Sequence, residues 1–418
     1  MHLLIEDSSD LFTNPGLLGR YSNRAWFSFG LGGAPGALTI SPHGGAAVQL
    51  GDGFHLGVTL NRRPEHYDFG NALWPIATAF GDGPGGLLIV PEEGGPVVDT
   101  APLLFPVDLF FGFGADHAPV QGGVNLYYAG GVVHSEATQV SEGSDARSTV
   151  VSDRNSHLVH LSIGLAANER APVRPEGWIR GGLLRMTIDD VTTVNGDDVA
   201  DREIALDHDT RFGAGLRVHI GDAGALRGVV VSPALQYDGA VGWMHYSNEF
   251  DSSEAERVTH APTAHHVRGG VGVSVRMDDL QVVGTASVVA EELRLRHMHS
   301  RTGDEIRTSV LRMGAPEVSL GAELRVVRAL LIRAGVRSVV AGSQETHRTF
   351  ELEEQGLELV EVERSGVAFP QFGGVQAEGG VGIDARRLQI DATVGGLFVE
   401  DPLQRALFGR LDLSFSFR

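Results

Sequence analysis

The chain contains no cysteine and no lysine, and its net charge is strongly negative. Without cysteine there is neither a disulfide framework nor a cysteine-based metal centre, and all 33 basic residues are arginine. The 53 acidic residues outnumber them and leave a formal charge of −20. Nucleic acid requires a positively charged protein face, so the composition argues against a nucleic-acid partner.

Signals for a membrane helix and for export are absent as well. No stretch of about 18 apolar residues without a charge occurs, so no transmembrane helix is predicted. The nearest case, 69–91, is broken by Pro75 and Pro84. The first five residues run directly into Glu6-Asp7 without a basic region or a cleavage site. We therefore expect that a leader was removed from this chain or that its start codon is misplaced.

Motifs for catalysis are also missing. The chain has no His-Glu-x-x-His, no Gly-x-Ser-x-Gly and no phosphate-binding loop, so neither an enzyme nor a cofactor is predicted. An outer-membrane barrel enzyme would need a serine, a histidine and an acid on one rim, and no motif marks such a set. His297-x-His299 and His265-His266 could ligate a transition metal. Both pairs fall where strands meet polar connections, and we predict solvated polar residues there rather than a metal site.

In several stretches of the chain, apolar and polar residues alternate with a period of two. From Gly409 to Phe417 every second residue is glycine or apolar, and the residues between them are Arg410, Asp412, Ser414 and Ser416. The same alternation recurs at 388–398, 375–384, 318–326 and 211–220. Alternation of this kind is typical of a strand with one apolar and one polar face, so the chain is predicted to be all-β.

The connections between these strands alternate in length. Matching apolar residues across hairpins leaves two-residue turns at Asp278-Asp279 and Arg386-Arg387. Between the tight turns lie long polar segments, of which 187–209 holds eight acidic residues and 342–368 holds seven. Solvated surface is the expected role of these acids, and binding of a divalent cation is the alternative. The remaining long connections are 134–156, 245–266 and 297–309.

Short turns at one end and long loops at the other are typical of an up-and-down antiparallel barrel in an outer membrane. About sixteen strand-like segments can be counted from Ala25 to Phe417, and a ring of that size is too wide for apolar side chains to fill. The apolar set should therefore face lipid and the polar set a wet lumen. The predicted lipid-facing residues are Leu388, Ile390, Ala392, Val394, Leu411, Leu413 and Phe415.

The charged residues of the polar set are predicted to line the lumen, because facing lipid each arginine would cost about 2–4 kcal/mol. Their mixed signs favour cross-strand pairs over a selectivity ring of one sign. The predicted lumen-lining residues are Arg211, Arg217, Glu323, Arg325, Arg333, Arg337, Glu378, Asp384, Asp391, Arg410 and Asp412.

A short segment before the first strand carries a family resemblance. Residues 6–18 read Glu-Asp-Ser-Ser-Asp-Leu-Phe-Thr-Asn-Pro-Gly-Leu-Leu. The pattern resembles the start of the FadL-like outer-membrane transporter superfamily, which includes the PorV-type proteins. The usual alanine after the proline is absent, since Gly16 follows Pro15 directly. A simple turn is the alternative interpretation, because Asn-Pro punctuates turns. The residues that fit the family pattern are Asp7, Ser9, Phe12, Asn14, Pro15 and Leu17. The hatch motif that the resemblance implies is Asp7, Ser9, Phe12, Asn14, Pro15 and Gly16.

The resemblance implies a fold and a function. It implies that residues 1–21 form a hatch in the barrel mouth and that 22–418 form one transmembrane barrel, which in this family usually has fourteen strands. We therefore expect 14 strands, within a range of 12–16. The implied function is a channel for passive uptake of small, hydrophobic solutes across the outer membrane of a Gram-negative bacterium. The alternative is a scaffold barrel that docks a secretion or surface partner at its acidic loops.

Overall fold

The computed structural model describes most of the barrel and part of the segment that precedes it. Residues 1–9 and 63–105 lie outside the described part, which otherwise has short gaps. The described residues are 10–33, 39–62, 106–115, 118–140, 147–169, 171–195, 197–221, 228–250, 256–260, 263–299, 305–339, 341–352, 357–368, 375–385, 387–398 and 406–417.

Among the residues that the structure describes, one short helical segment precedes nineteen strands. The helix α1 (Asp10–Thr13) is followed by a 3₁₀ helix (Pro15–Tyr21). In the described part of the chain no helix is long and apolar enough to cross a membrane. The strands are β1 (Arg24–Gly33), β2 (Thr39–Gln49), β3 (Phe54–Leu60), β4 (Val107–Phe113), β5 (Val120–Val140), β6 (Arg147–Ala167), β7 (Val173–Val194), β8 (Asp197–Gly221), β9 (Val229–Phe250), β10 (Glu256–His260), β11 (Thr263–Met277), β12 (Leu280–His299), β13 (Glu305–Val327), β14 (Leu330–Val339), β15 (Ala341–Leu352), β16 (Leu357–Ala368), β17 (Val375–Ala385), β18 (Leu388–Phe398) and β19 (Ala406–Ser416).

These strands form one closed antiparallel ring of sixteen positions. Three positions are each built from two strand pieces. Strands β10 and β11 both lie between β9 and β12, β14 and β15 both follow β13, and β16 and β17 pair with β15 and β14 respectively. The ring closes where β1 pairs with β19, from Arg24 opposite Ser416 to Gly33 opposite Leu407.

The expectation of 14 strands is therefore wrong. Pro42 and the glycines after it interrupt the alternation between residues 37 and 62, yet this stretch forms β2 and β3. Proline cannot donate a backbone hydrogen bond and is tolerated where a strand has a partner on one side only. In the structure Pro42 lies opposite Phe29 of β1, whereas pairing with β3 begins two residues later at Gly44.

The expectation of long acidic extracellular loops is also wrong. The polar connections 134–156 and 187–209 are largely paired strand within β5 to β8, which reach 21–25 residues. Segment 342–368 forms most of β15 and β16. Backbone pairing does not require an apolar face, and beyond the membrane both faces of a strand meet water. The apolar alternation that indicates strands within the bilayer therefore disappears while the hydrogen-bonded ladder continues.

The tight turns match the predicted register. Met277 lies opposite Leu280 and Ala385 opposite Leu388. Arg387 also accepts a backbone hydrogen bond from Ser416, and Phe417 donates one to Asn23. These turns and both ends of the ring therefore lie at one end of the barrel, called here the short-turn end. The opposite end is called the hairpin end.

The two faces of the sheet are assigned by what touches the N-terminal segment. Trp26 of β1 packs against the apolar cluster of that segment inside the ring, so Phe27 points outward. Phe27 lies opposite Leu413, which in turn lies opposite Ile390, and opposite residues share a face. The apolar set of β18 and β19 is therefore on the exterior, as predicted, and the polar set faces inward.

This assignment predicts that an introduced arginine destabilises the barrel more on the outer face than on the inner face. Val381 lies on the exterior of β17 and is 48% exposed. We expect Val381→Arg to lower the free energy of unfolding in lipid by about 2–4 kcal/mol, since the arginine would face hydrocarbon. Glu378→Arg, on the inner face of the same strand, should have a much smaller effect. Urea unfolding in lipid vesicles measures both, and equal losses would contradict the assignment.

Candidate functional site

The described N-terminal segment lies inside the ring at the short-turn end. Leu11 and Leu18 form a buried apolar cluster with Ala47 of β2 and Phe110 of β4. Phe12 packs on Phe110 with ring centroids 5.7 Å apart. Residues 10–21 are called here the hatch. Burial of these side chains holds the hatch against one side of the lumen.

Asn14 and three glycines form the seat of the hatch. The side chain of Asn14 accepts a hydrogen bond from the backbone N–H of Gly16 and donates one, 3.1 Å long, to the carbonyl of Leu165 on β6. A Cβ on Gly164 would lie 1.8 Å from Asn14 Oδ1, and one on Gly123 would lie 2.1 Å from the carbonyl oxygen of Pro15. Only glycine lets the hatch backbone approach these strands so closely.

Ion pairs hold both ends of the hatch to the wall. Arg217 of β8 donates hydrogen bonds of 2.7 Å to Asp10 and to Glu176 of β7. Arg20 donates a 3.1 Å hydrogen bond to the same Glu176 and a 2.9 Å hydrogen bond to the carbonyl of Ala167. Glu176 is therefore shared by two arginines, one from the hatch and one from the barrel.

Buried polar pairs fill the lumen beside the hatch. Arg62 donates to both carboxylate oxygens of Asp108, at 2.8 and 2.5 Å, and Asn125 donates to Asp108 at 3.1 Å. The guanidinium of Arg62 also lies 4.0 Å from the ring centroid of Phe12. Sequence reasoning did not identify Arg62 or Asp108 as site residues, because the chain between them shows no alternation.

A second pair extends this filled region to β9. Arg180 of β7 donates two hydrogen bonds to Asp238, 2.9 and 2.5 Å long, and Gln236 donates another of 2.6 Å. All three side chains are buried. The inner faces of β3 to β9 thus carry closely packed, buried pairs of hydrogen-bonded charged groups.

The inner face of β13 to β19 is different, because its charged side chains remain partly exposed. Arg333 of β14 donates to Glu323 at 2.6 Å and forms an ion pair with Asp391 of β18. The side chains of Arg333 and Glu323 are 32% and 36% exposed, whereas Arg62 is fully buried. Water therefore reaches this side of the lumen.

Arg333 reaches Asp391 across the intervening strand β17. A Cβ on Gly382 would lie 2.5 Å from Asp391 Oδ1 and 3.2 Å from a guanidinium nitrogen of Arg333. The glycine therefore leaves the space that the ion pair occupies. We call Glu323, Arg333 and Asp391 the clasp.

The predicted site residues divide between the two sides. The pairing registers place all eleven predicted lumen-lining charges on the inner face of the sheet. Arg211 and Arg217 are buried in the filled side, and the other nine lie on β13 to β19. Phe12, Asn14, Pro15 and Gly16 are in the hatch, whereas Asp7 and Ser9 lie outside the described residues.

His265 and His266 are not brought together as ligands, and the side chains of His297 and His299 lie outside the described part. His265 bonds to Tyr237 and its neighbour His266 lies 3.8 Å from Asp238, because successive residues of a strand point to opposite faces. Among the described residues no group of three or more histidine, aspartate or glutamate side chains could hold a metal ion.

A closed ring of sixteen antiparallel strands with an apolar exterior and a charged interior is an outer-membrane β-barrel. No family model matches the chain, and no curated protein matches it.

Among solved structures the chain is similar to transporters and channels for monoaromatic hydrocarbons. The toluene transporter TodX of Pseudomonas putida is 9% identical, with 99% of this chain and 95% of that chain covered at a TM-score of 0.42. The toluene transporter TbuX of Ralstonia pickettii is 12% identical, with 98% and 93% covered at a TM-score of 0.40. The monoaromatic hydrocarbon channel CymD is 9% identical, with 100% and 95% covered at a TM-score of 0.39.

Proposed function

We propose that the protein is a channel for passive uptake of small, hydrophobic solutes across the outer membrane. The observation that carries the proposal is the contrast between the two sides of the lumen. The hatch and the buried pairs Arg62–Asp108 and Arg180–Asp238 fill one side. On the other side the clasp and its neighbours remain partly accessible to water. A passage would therefore run along the inner face of β13 to β19, beside the hatch.

The charge balance of that face supports a weakly selective passage. Arg333 lies between two carboxylates, and Arg337 and Arg268 share Glu317 at 2.5 and 2.9 Å. Arg410 pairs with its neighbour Asp412 at 2.7 Å. Because Arg333, Arg337 and Arg410 each have a carboxylate beside them, these described cations are not part of a ring of one sign. Rings of one sign are what make pores strongly ion-selective.

The hydrophobic character of the solute rests on the resemblance of residues 6–18 to the FadL-like superfamily. That family passes solutes without chemistry, which suits a chain in which no catalytic motif was found. The solved structures to which this chain is similar include toluene transporters, so toluene is a suitable first probe.

The alternative function is a scaffold that docks a partner at the hairpin end. It is favoured by the length of β5 to β9, whose 21–25 residues exceed the about 9–11 residues needed to cross a bilayer. The acidic segment 187–209 lies in the hairpin of β7 and β8, and 342–368 lies in that of β15 and β16. A basic surface of a partner protein would complement both.

Reconstitution of the whole chain tests the proposed function. We expect liposomes that hold the protein to take up toluene faster than empty liposomes. In a planar bilayer the same protein should show low conductance with little preference between cations and anions. Liposomes no more permeable than empty ones would contradict the channel function, and a large, strongly cation-selective pore would indicate a general porin instead.

A further inference from the structure

Two tyrosine–histidine pairs of the same geometry lie on the exterior of the barrel. The hydroxyl of Tyr128 and Nδ1 of His157 are 3.0 Å apart, and the rings stack with centroids separated by 6.2 Å. The hydroxyl of Tyr237 and Nδ1 of His265 are 2.8 Å apart, with ring centroids separated by 6.1 Å. When the tyrosine donates to Nδ1, each imidazole carries its proton on Nε2.

The first pair lies near the upper edge of the apolar exterior, and of the residues above it Val132 is still apolar and exposed. Below it, toward the short-turn end, Leu126 and Val159 are exposed at 41% and 44%. Above it His134 pairs with Asp153 at 2.7 Å, and both of these side chains are about 60% exposed. Aromatic side chains with polar tips collect where hydrocarbon meets the headgroups. In barrels of this class the hairpin end is extracellular, so this level meets the outer leaflet.

The neighbours of the two pairs differ in charge. His157 lies opposite Arg185 of β7, which is exposed on the same face. His265 lies opposite Glu292 of β12, which is engaged by Arg294 at 2.8 Å. The same aromatic pair is thus joined by a cation at one position and by a carboxylate at the other.

We propose that Tyr128, His157 and Arg185 bind the phosphate of an outer-leaflet glycolipid. The Arg185 guanidinium supplies charge-assisted donors for a phosphate oxygen, and the imidazole supplies one further N–H. The tyrosine holds the imidazole in place through Nδ1. The exposed Leu126 and Val159 below offer apolar surface to the acyl chains of the same lipid. The pair at Tyr237 lacks this function, because the residue opposite His265 is the carboxylate Glu292, which already engages the nearby Arg294.

Lipid binding to the whole, detergent-solubilised protein tests the proposal. The probes are lipid A and enzymatically dephosphorylated lipid A, compared by native mass spectrometry. We expect lipid A to bind at least about tenfold more tightly, which is the effect of one charge-assisted hydrogen bond. Arg185→Gln should remove that preference, and His157→Ala should weaken it.

The matched control is the second pair. His265→Ala and Arg294→Gln should leave binding of lipid A unchanged, and resistance to unfolding in SDS without heating verifies that each variant is folded. The proposal is overturned if folded Arg185→Gln binds lipid A as tightly as the original chain. Equal losses in the variants at His157 and His265 would likewise overturn it, since they would indicate contact with lipid that does not depend on the phosphate.

Discussion

Deleting residues 1–20 is expected to raise the conductance of the barrel severalfold in a planar bilayer. The hatch occupies the lumen beside β2 to β8, where its apolar cluster and its ion pairs with Glu176 and Arg217 hold it. Its removal should open the filled side of the lumen to water. Single-channel recordings of the original and the shortened chain measure the change.

Adding a single methyl group at Gly123 should also raise the conductance. A Cβ on Gly123 would lie 2.1 Å from the carbonyl oxygen of Pro15, so Gly123→Ala requires the hatch backbone to move away from β5. The matched control is Gly177→Ala on β7, whose Cβ would meet no atom closer than 3.8 Å. Conductance that stays low after both the deletion and Gly123→Ala would show that the hatch is not a plug.

Replacing Arg62 with methionine is expected to destabilise the barrel by about 3–5 kcal/mol, because it leaves the charge of Asp108 buried without its partner. Both side chains are fully buried, and two hydrogen bonds of 2.8 and 2.5 Å join them. The midpoint of urea unfolding in vesicles should fall accordingly. The double variant Arg62→Met with Asp108→Leu should recover much of the loss, since it removes both charges.

The control for this change is an arginine in the accessible half of the lumen. Arg410 pairs with Asp412 at 2.7 Å, but its side chain is 51% exposed. Water replaces such a partner at little cost, so Arg410→Met should change stability by about 0.2–1 kcal/mol. Equal destabilisation by the two single variants would contradict the division of the lumen into a filled side and an accessible side.

Together these results would separate the two roles of charge inside the barrel. Charges on the filled side hold the hatch and the wall in place, and their loss should be seen in stability. Charges of the clasp face water, and their loss should be seen in the passage of ions. Both groups lie on the inner face of one sheet, and only their surroundings distinguish them.

Local features of the sequence determined the strands and their faces. The alternation from Gly409 to Phe417 is visible without any partner strand, because successive side chains of a strand point to opposite sides. The turn at Asp278-Asp279 could be placed for the same reason, since a slip of one residue would expose the wrong face. The observed register, with Met277 opposite Leu280, agrees.

Tertiary structure decided between the about sixteen strand-like segments of the sequence and the fourteen strands that the resemblance implies, and it alone set the extent of the hairpins and the filling of the lumen. Ring closure depends on β1 meeting β19, nearly 400 residues away, and the alternation that Pro42 interrupts belongs to a strand that pairs with β1 at this position. Asp10 and Arg217 are 207 residues apart in the chain yet 2.7 Å apart in space. The period of two shows that Arg217 and Arg410 share the polar face. Whether water or a buried carboxylate solvates each of them depends on how the hatch packs against the wall, which is a long-range property that no local pattern records.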